Sequence, residues 1–347
     1  MGTTKHNLLI GAEIIDTENN NLRYDTFWST TSDDNEVFNI SRPMDFTVNS
    51  NGVATGVDFI TSLKSKTQSE ISVTSIYIQD QIDVTNNIKV MLGGRHDNFD
   101  ITVTDIKNGT AENRKDSVFS PRAGLVFKPN DGISLYWSYS ESFLPRSGEQ
   151  YKSLSASSAR LDPDVYESSE IGLKYKVSPL LSMSLASFSS EQIRAERDND
   201  TGENSEVRGL TVDGIEFQIK GQITDKLDLI AGYSSLDGET SSGGEPREIP
   251  DHTLSLFAKY QVNGNLDLAL GMTKQGESLI KDNNSDLVLP EYTRVDFGMY
   301  YKLQNGMDLQ INIENMFDEL YFPHSHSTHQ ASVGEPFNAR VSIRKEF

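Results

Sequence analysis

One feature constrains this chain more than any other: apolar and polar side chains alternate with a period of two, again and again, over almost its whole length. In GISLYWSYSES, Ile133, Leu135, Trp137 and Tyr139 fall on one side while Ser134, Ser138 and Ser140 fall on the other. The same pattern gives Leu227, Leu229, Ala231 and Tyr233, then Leu254, Leu256, Ala258, Tyr260 and Val262, then Leu266, Leu268, Leu270 and Met272. It continues through Val295, Phe297, Met299, Tyr301 and Leu303 and through Met307, Leu309, Ile311 and Ile313. The last segment, FNARVSIRKEF, alternates too, with Phe337, Ala339, Val341, Ile343, Lys345 and a terminal aromatic, Phe347. A period of two puts one set of side chains on each face of an extended strand. Helical periodicity is nearly absent.

The connections come in two kinds. Short ones, rich in Asn, Asp, Gly or Pro, fall at 84–87, 128–132, 177–180, 223–226, 262–265 and 303–306, and their composition suits tight reversals. Longer polar ones fall near 105–114, 143–164, 197–203, 239–248, 277–289 and 317–333. The chain therefore repeats strand, tight turn, strand, long loop. This spacing predicts about fourteen antiparallel strands, many of them about 10 to 15 residues long, against the usual five or six.

A soluble sandwich would cover its apolar face with a second sheet, and its strands would be shorter. No second apolar layer is visible in the sequence. A transmembrane β-barrel needs none, because lipid covers the apolar face and water or a plug fills the polar interior. Backbone groups in lipid must all be paired, which demands closure. The aromatics near strand ends, Tyr77, Tyr136, Trp137, Tyr175, Tyr260, Tyr292, Tyr300 and Tyr301, are expected in the interfacial girdles of such a barrel. The net charge of -20 argues against nucleic acid as a partner and fits a surface bathed in divalent cations, or solubility alone. With no cysteine there is neither a disulfide framework nor a thiolate metal site. The opening MGTTKHNLLIGAEIID lacks the shape of a signal peptide, so the reading is either a cytosolic protein or one whose beginning lies upstream.

Several segments together resemble the barrel of TonB-dependent siderophore receptors. They are SIYIQDQ (75–81), KVMLGGRHD (89–97), SVFSPRAGLVFKPNDGISLYWSYSESFLP (117–145), LDPDVYESSEIGLKYK (161–176), VRGLTVDGIEFQIKGQITDKLDLIAGYS (207–234) and INIENMFDELYF (311–322). Their order and spacing resemble the ferrichrome-type branch from about residue 6 to the end. The resemblance implies a barrel of about 22 strands, preceded by a signal sequence, a TonB-coupling box and a plug. None of those is present, so residues 1–347 are expected to be the C-terminal portion of the barrel, with roughly eight strands and the plug upstream. It also implies that the terminal strand and Phe347 are read by the barrel-assembly machinery, and that Arg122, on the lumen side, meets acidic groups of a plug.

No catalytic constellation stands out, and no enzymatic activity or cofactor is expected. There is no GxSxG elbow, phosphate-cradling glycine loop or HExxH. Asp162 and Asp164 flank Pro163 and read as a turn, as do Asn315 and Asp318 in NMFDELYF. The two glycines of GGRHD mark a place where bulk would obstruct a neighbour, or a strand kink. In PHSHSTHQ, His324, His326 and His329 are spaced to share a transition metal, or are three independent loop residues. Tyr321 and Phe322, and Phe27 and Trp28 near the top of the first strand, are candidate aromatic contacts for a ferric chelate, by the resemblance.

The function that the resemblance implies is uptake of ferric siderophores, with hydroxamates first among them, across the outer membrane of a Gram-negative cell. The partners would be the siderophore, the TonB complex through the N-terminal region, and outer-membrane lipid and lipopolysaccharide. The alternatives are a passive outer-membrane pore or binding barrel, and a soluble all-β binding protein.

Overall fold

Alternating runs of β-favouring residues, punctuated by turn formers, leave little choice but a meander. In the computed structural model, residues 4–28, 59–146, 154–155, 158–197, 204–303, 306–328 and 330–345 are described. The strands are β1 (Lys5–Trp28), β2 (Phe59–Asp83), β3 (Ile88–Asp105), β4 (Thr110–Asn130), β5 (Ile133–Leu144) and β6 (Asp164–Ser178). Then come β7 (Leu181–Arg197), β8 (Asn204–Thr224), β9 (Leu227–Thr240), β10 (His252–Gln261), β11 (Leu266–Gln275), β12 (Ser278–Leu279) and β13 (Val288–Leu289). The last are β14 (Tyr292–Lys302), β15 (Met307–Glu314), β16 (His324–Ser327), β17 (Gln330–Ser332) and β18 (Asn338–Lys345). Among the described residues there is one 3-10 turn, Ser158–Arg160, and no α-helix.

Fourteen strands form one antiparallel sheet in chain order, with β12–β13 and β16–β17 set aside as small hairpins inside long loops. The expected strand count is present, as are the tight turns at 84–87, 128–132, 177–180, 223–226 and 262–265; the turn expected at 303–306 lies partly outside the described residues. Two expectations need correction. Many strands have the expected 10 to 15 residues, but β1 and β2 exceed it with 24 and 25, and the segment 105–114 is a four-residue turn, not a long loop. Above the apolar band the outward face of β2 and β3 turns polar and the apolar residues Ile71, Val73, Ile101 and Val103 stand on the other face, so the period-two signal changes sides while the backbone ladder continues.

The ladder register proves that each face is uniform. On one face Leu135, Leu173, Leu185, Phe217, Tyr233 and Leu254 stand side by side across six strands. The opposite face carries Tyr136, Gly172, Ala186, Glu216, Ser234 and Thr253 in the matching row. The first face is also the bare one: Ile10, Ile14, Ile76, Ile78, Phe119, Ile171, Ile215, Val341 and Ile343 are exposed on it. Soluble monomers rarely show apolar patches above a few hundred Å², so this face requires lipid. Its upper limit is marked by the row Glu141, Glu167, Glu191, Thr211 and Glu239, toward the long-loop end of the strands.

The aromatic expectation is half corrected. Trp137, Tyr175, Tyr260 and Tyr301 lie on the apolar face, but Tyr77, Tyr136, Tyr292 and Tyr300 lie on the polar one. Neighbours such as Tyr136 and Trp137 cannot both face lipid when the side-chain period is two. Little of the wall is core in the usual sense. The buried cluster Ile71, Val73, Ile101 and Val103 sits on the polar-face side of the β2–β3 extension, with Phe99 and Leu154 packed on it.

Candidate functional site

The polar face is organised by ion pairs that span strands. Arg95 is the hub of one: its Nη2 donates to Glu13 Oε2 at 2.8 Å and to Ser75 Oγ at 2.7 Å, and its Nε donates to Asp97 Oδ1 at 2.8 Å. Ser75 in turn donates to Asp97, and both are buried. Alternation puts Arg95 and Asp97 of GGRHD on the same side, and register brings Glu13 and Ser75 into line with Asp97. Farther along, Tyr136 donates its hydroxyl proton to Glu170, with Lys174 Nζ 5.0 Å above the ring. Lys259 reaches Asp267 at 2.9 Å and lies 5.5 Å over Tyr300. Arg122 is exposed on this face.

The glycines of GGRHD have distinct reasons. A side chain at Gly94 would collide with the Phe119 ring, and one at Gly93 would lie 2.9 Å from the Ile78 carbonyl oxygen. The obstruction reading therefore holds over the kink.

At the long-loop end, side chains tie the loops inward. Arg114 donates to Asp116 at 2.6 Å and, through Nη1, to the Ala159 carbonyl at 2.8 Å. Arg146 pairs with Asp164 at 2.9 Å and donates to the Asp162 carbonyl. Asp164, read from sequence as a turn residue, instead opens β6 and is buried. In the last loop Asn315 is 1% exposed: its Nδ2 donates to the Glu319 and Glu335 carbonyls at 2.9 Å each, and its Oδ1 accepts from Glu319 N at 2.9 Å. Asn315 and Asp318 both have positive φ, 49° and 55°, which fits their expected part in the turn. Glu248 Oε1 accepts from Ser325 N at 2.8 Å, linking the β9–β10 loop to the same segment.

The hairpin tip above β3 and β4 titrates low. Lys115, 2.8 Å from Asp100, holds that carboxyl below the usual carboxylate range, and the backbone N–H of Asn108 does the same for Asp105.

The candidate contacts fall unevenly on this frame. Tyr321 is buried against the Tyr292 ring at a centroid distance of 4.6 Å, and its hydroxyl accepts from Arg294 at 3.3 Å, so it props the loop from beneath. Phe322 beside it is half-buried and His324, in β16, is exposed. The backbone of Phe27 and Trp28 pairs with Ile60 and Phe59, and that of His326 lies in β16, but their side chains lie outside the described residues. His329 and Phe347 lie outside them altogether. Among the described residues no group of three His, Cys, Asp or Glu is placed to hold a metal. The sequence reading missed the Arg95, Arg114 and Asp164 pairs. For the first two the only local signal is an Arg and an Asp two positions apart, as in RHD and RKD, and the Arg146–Asp164 pair has none.

A wall with one bare apolar face, one ion-paired polar face, tight turns at one end and folded loops at the other defines an outer-membrane β-barrel. The family model described as TonB dependent receptor-like, beta-barrel matches residues 2–316, and the chain belongs to that family. It is similar to the probable TonB-dependent siderophore receptor PiuA of Acinetobacter baumannii, 27% identical over an aligned span of 319 residues that covers 83% of this chain and 43% of PiuA. The crystal structure of PiuA covers 99% of this chain, and the chain 53% of it, with a TM-score of 0.80 at 23% identity. The ferrioxamine receptor of Yersinia enterocolitica is 26% identical over 99% of this chain and 48% of its own length. The ferrichrome outer membrane transporter/phage receptor of Escherichia coli is 27% identical over 92% and 43%. The chain thus spans less than half the length of these three relatives, which are named for more than one siderophore.

Proposed function

We propose that this wall is the C-terminal portion of the barrel of an outer-membrane receptor that imports ferric siderophores, energised through TonB by a plug encoded upstream. The observation that carries it is the two-faced sheet of a TonB-dependent receptor barrel, whose polar face is lined with paired charges and overhung by inward-tied loops. The wall supplies the passage and the loops the selectivity; no bond in the cargo is made or broken. Arg122 is offered to an acidic surface of the plug. Outer-membrane lipid and lipopolysaccharide cover the outside, and the barrel-assembly machinery reads the end of the chain. Hydroxamate siderophores are the proposed cargo, with Phe27, Trp28 and Phe322 as proposed contacts and Tyr321 as the buried support of its own loop. His324, His326 and His329 are proposed as a loop metal site, which zinc calorimetry reads against the triple alanine variant; equal heats from both would remove it.

The test is uptake of radiolabelled iron by receptor-deficient cells carrying this gene with its upstream sequence. Ferric hydroxamates should be accumulated only when TonB is present. Uptake of a catecholate instead would move the cargo to another class, and diffusion of small solutes without TonB would replace the importer by a pore.

A further inference from the structure

We infer that the loop joining β15 to β18 is a lipid-contacting element that completes the apolar band where β15 ends below its neighbours. A tilted strand needs about 9 to 11 residues to cross a bilayer, yet β15 has eight and ends at Glu314. The band does not stop there. One step beyond the row of Ile313 and Phe297, the neighbouring strands still present Val295, Met272 and Leu256 on the apolar face.

The loop supplies what is missing. Phe337, one step above Ala339 in the apolar column of β18, is 50% exposed. Tyr321 turns to the polar side, against Tyr292, and Gly334 N donates to the Tyr321 carbonyl at 2.8 Å. A side chain at Gly334 would meet that ring, while the adjoining Leu320 and Val333 are 69% and 64% exposed. Phe317 is 70% exposed. Elsewhere the band gives way to the row of glutamates from Glu141 to Glu239, whereas here Phe317, Leu320, Val333 and Phe337 stand bare. The Asn315 hydrogen bonds to Glu319 and Glu335, with Phe337 N donating to Asp318 at 2.8 Å, fix the loop in this posture. The occupant that fits is the acyl region of the outer leaflet, because Phe337 carries the apolar column of β18 upward and its bond to Asp318 sets the segment of Phe317 and Leu320 beside it.

The inference rests on the lipid-facing reading of the wall, not on the cargo. With no native cysteine, single-cysteine variants F317C and L320C can each carry a bimane, beside I171C in the band and S241C in a polar turn. The full chain is refolded in dodecyl maltoside, then moved into its brominated analogue. Loss of emission at F317C and L320C as deep as at I171C is the expected result. If I171C is quenched while both loop labels behave like S241C, the inference falls and the wall reading stands. If I171C is not quenched either, both fall. Blue-shifted, unquenched loop labels would mean that protein covers the patch, such as a second copy at the β18 edge, and would overturn the lipid assignment.

Discussion

Arg114 is a residue whose cost and use can be separated. Its side chain and that of Asp116 are 9% and 3% exposed, so both charges are withdrawn from water and depend on each other. Taking one partner from a buried pair leaves the other uncompensated, typically at about 3–5 kcal/mol. R114M should therefore lower the unfolding free energy in micelles by about that amount, and R114M/D116L by much less, as denaturant titration would show. Equal losses from the single and double variants would mean that the pair matters through packing alone. R114M also removes the bond to Ala159, so protease should reach the β5–β6 loop sooner. This kind of residue was hard to read in the sequence. Arg114 and Asp116 are visible there as two charges on one face, but their burial comes from a loop more than forty positions away, and no local pattern reports that.

At the scale of elements, the sequence was most informative where chemistry differs between the two faces. The columns from Leu135 to Tyr139 and from Leu254 to Tyr260 were legible because lipid and lumen ask for different side chains, and the tight turns because Asn, Asp and Gly mark them. The upper part of the β3–β4 hairpin was misread as a loop because the alternation changes sides there: Ile101 and Val103 are buried on the polar-face side, while the other face carries exposed Asp100 and Lys115. Charge adds to its order. Asp100 beside Lys115 and Asp105 beneath the Asn108 N–H are both held below the ordinary carboxylate value of about 3.9. A depressed carboxyl contributes stability that is fully present above that value and is lost as pH falls through the lower, folded one. Both groups are exposed and screened, so the contribution is small. Amide exchange at Asn108 and Gly109, corrected for intrinsic rates, should thus be unchanged between pH 7 and 5 and faster at pH 3. A flat profile through pH 3 would show that the turn geometry alone holds the tip.

For the molecule as a whole, the decisive fact is that the sheet has two ends. The order runs from β1 to β18, and among the described residues neither outermost strand has a partner on its far side. In β18 every residue is exposed. Along an antiparallel edge, alternate N–H groups point into the ladder and away from it, so half of those in β18 bond to β15 and half face outward. In hydrocarbon each unpaired group costs several kcal/mol, which a barrel avoids by closing and an arc cannot. The chain refolded alone in micelles should therefore show two exchange regimes within one strand: alternate amides of β1 and β18 slow and fast, and those of interior strands such as β6 uniformly slow. Adding a segment that supplies both missing edges should slow the fast set. Uniform protection of β1 and β18 in the isolated chain, without self-association, would mean that fourteen strands close on themselves, and the wall would then be a complete small barrel instead of part of a larger one.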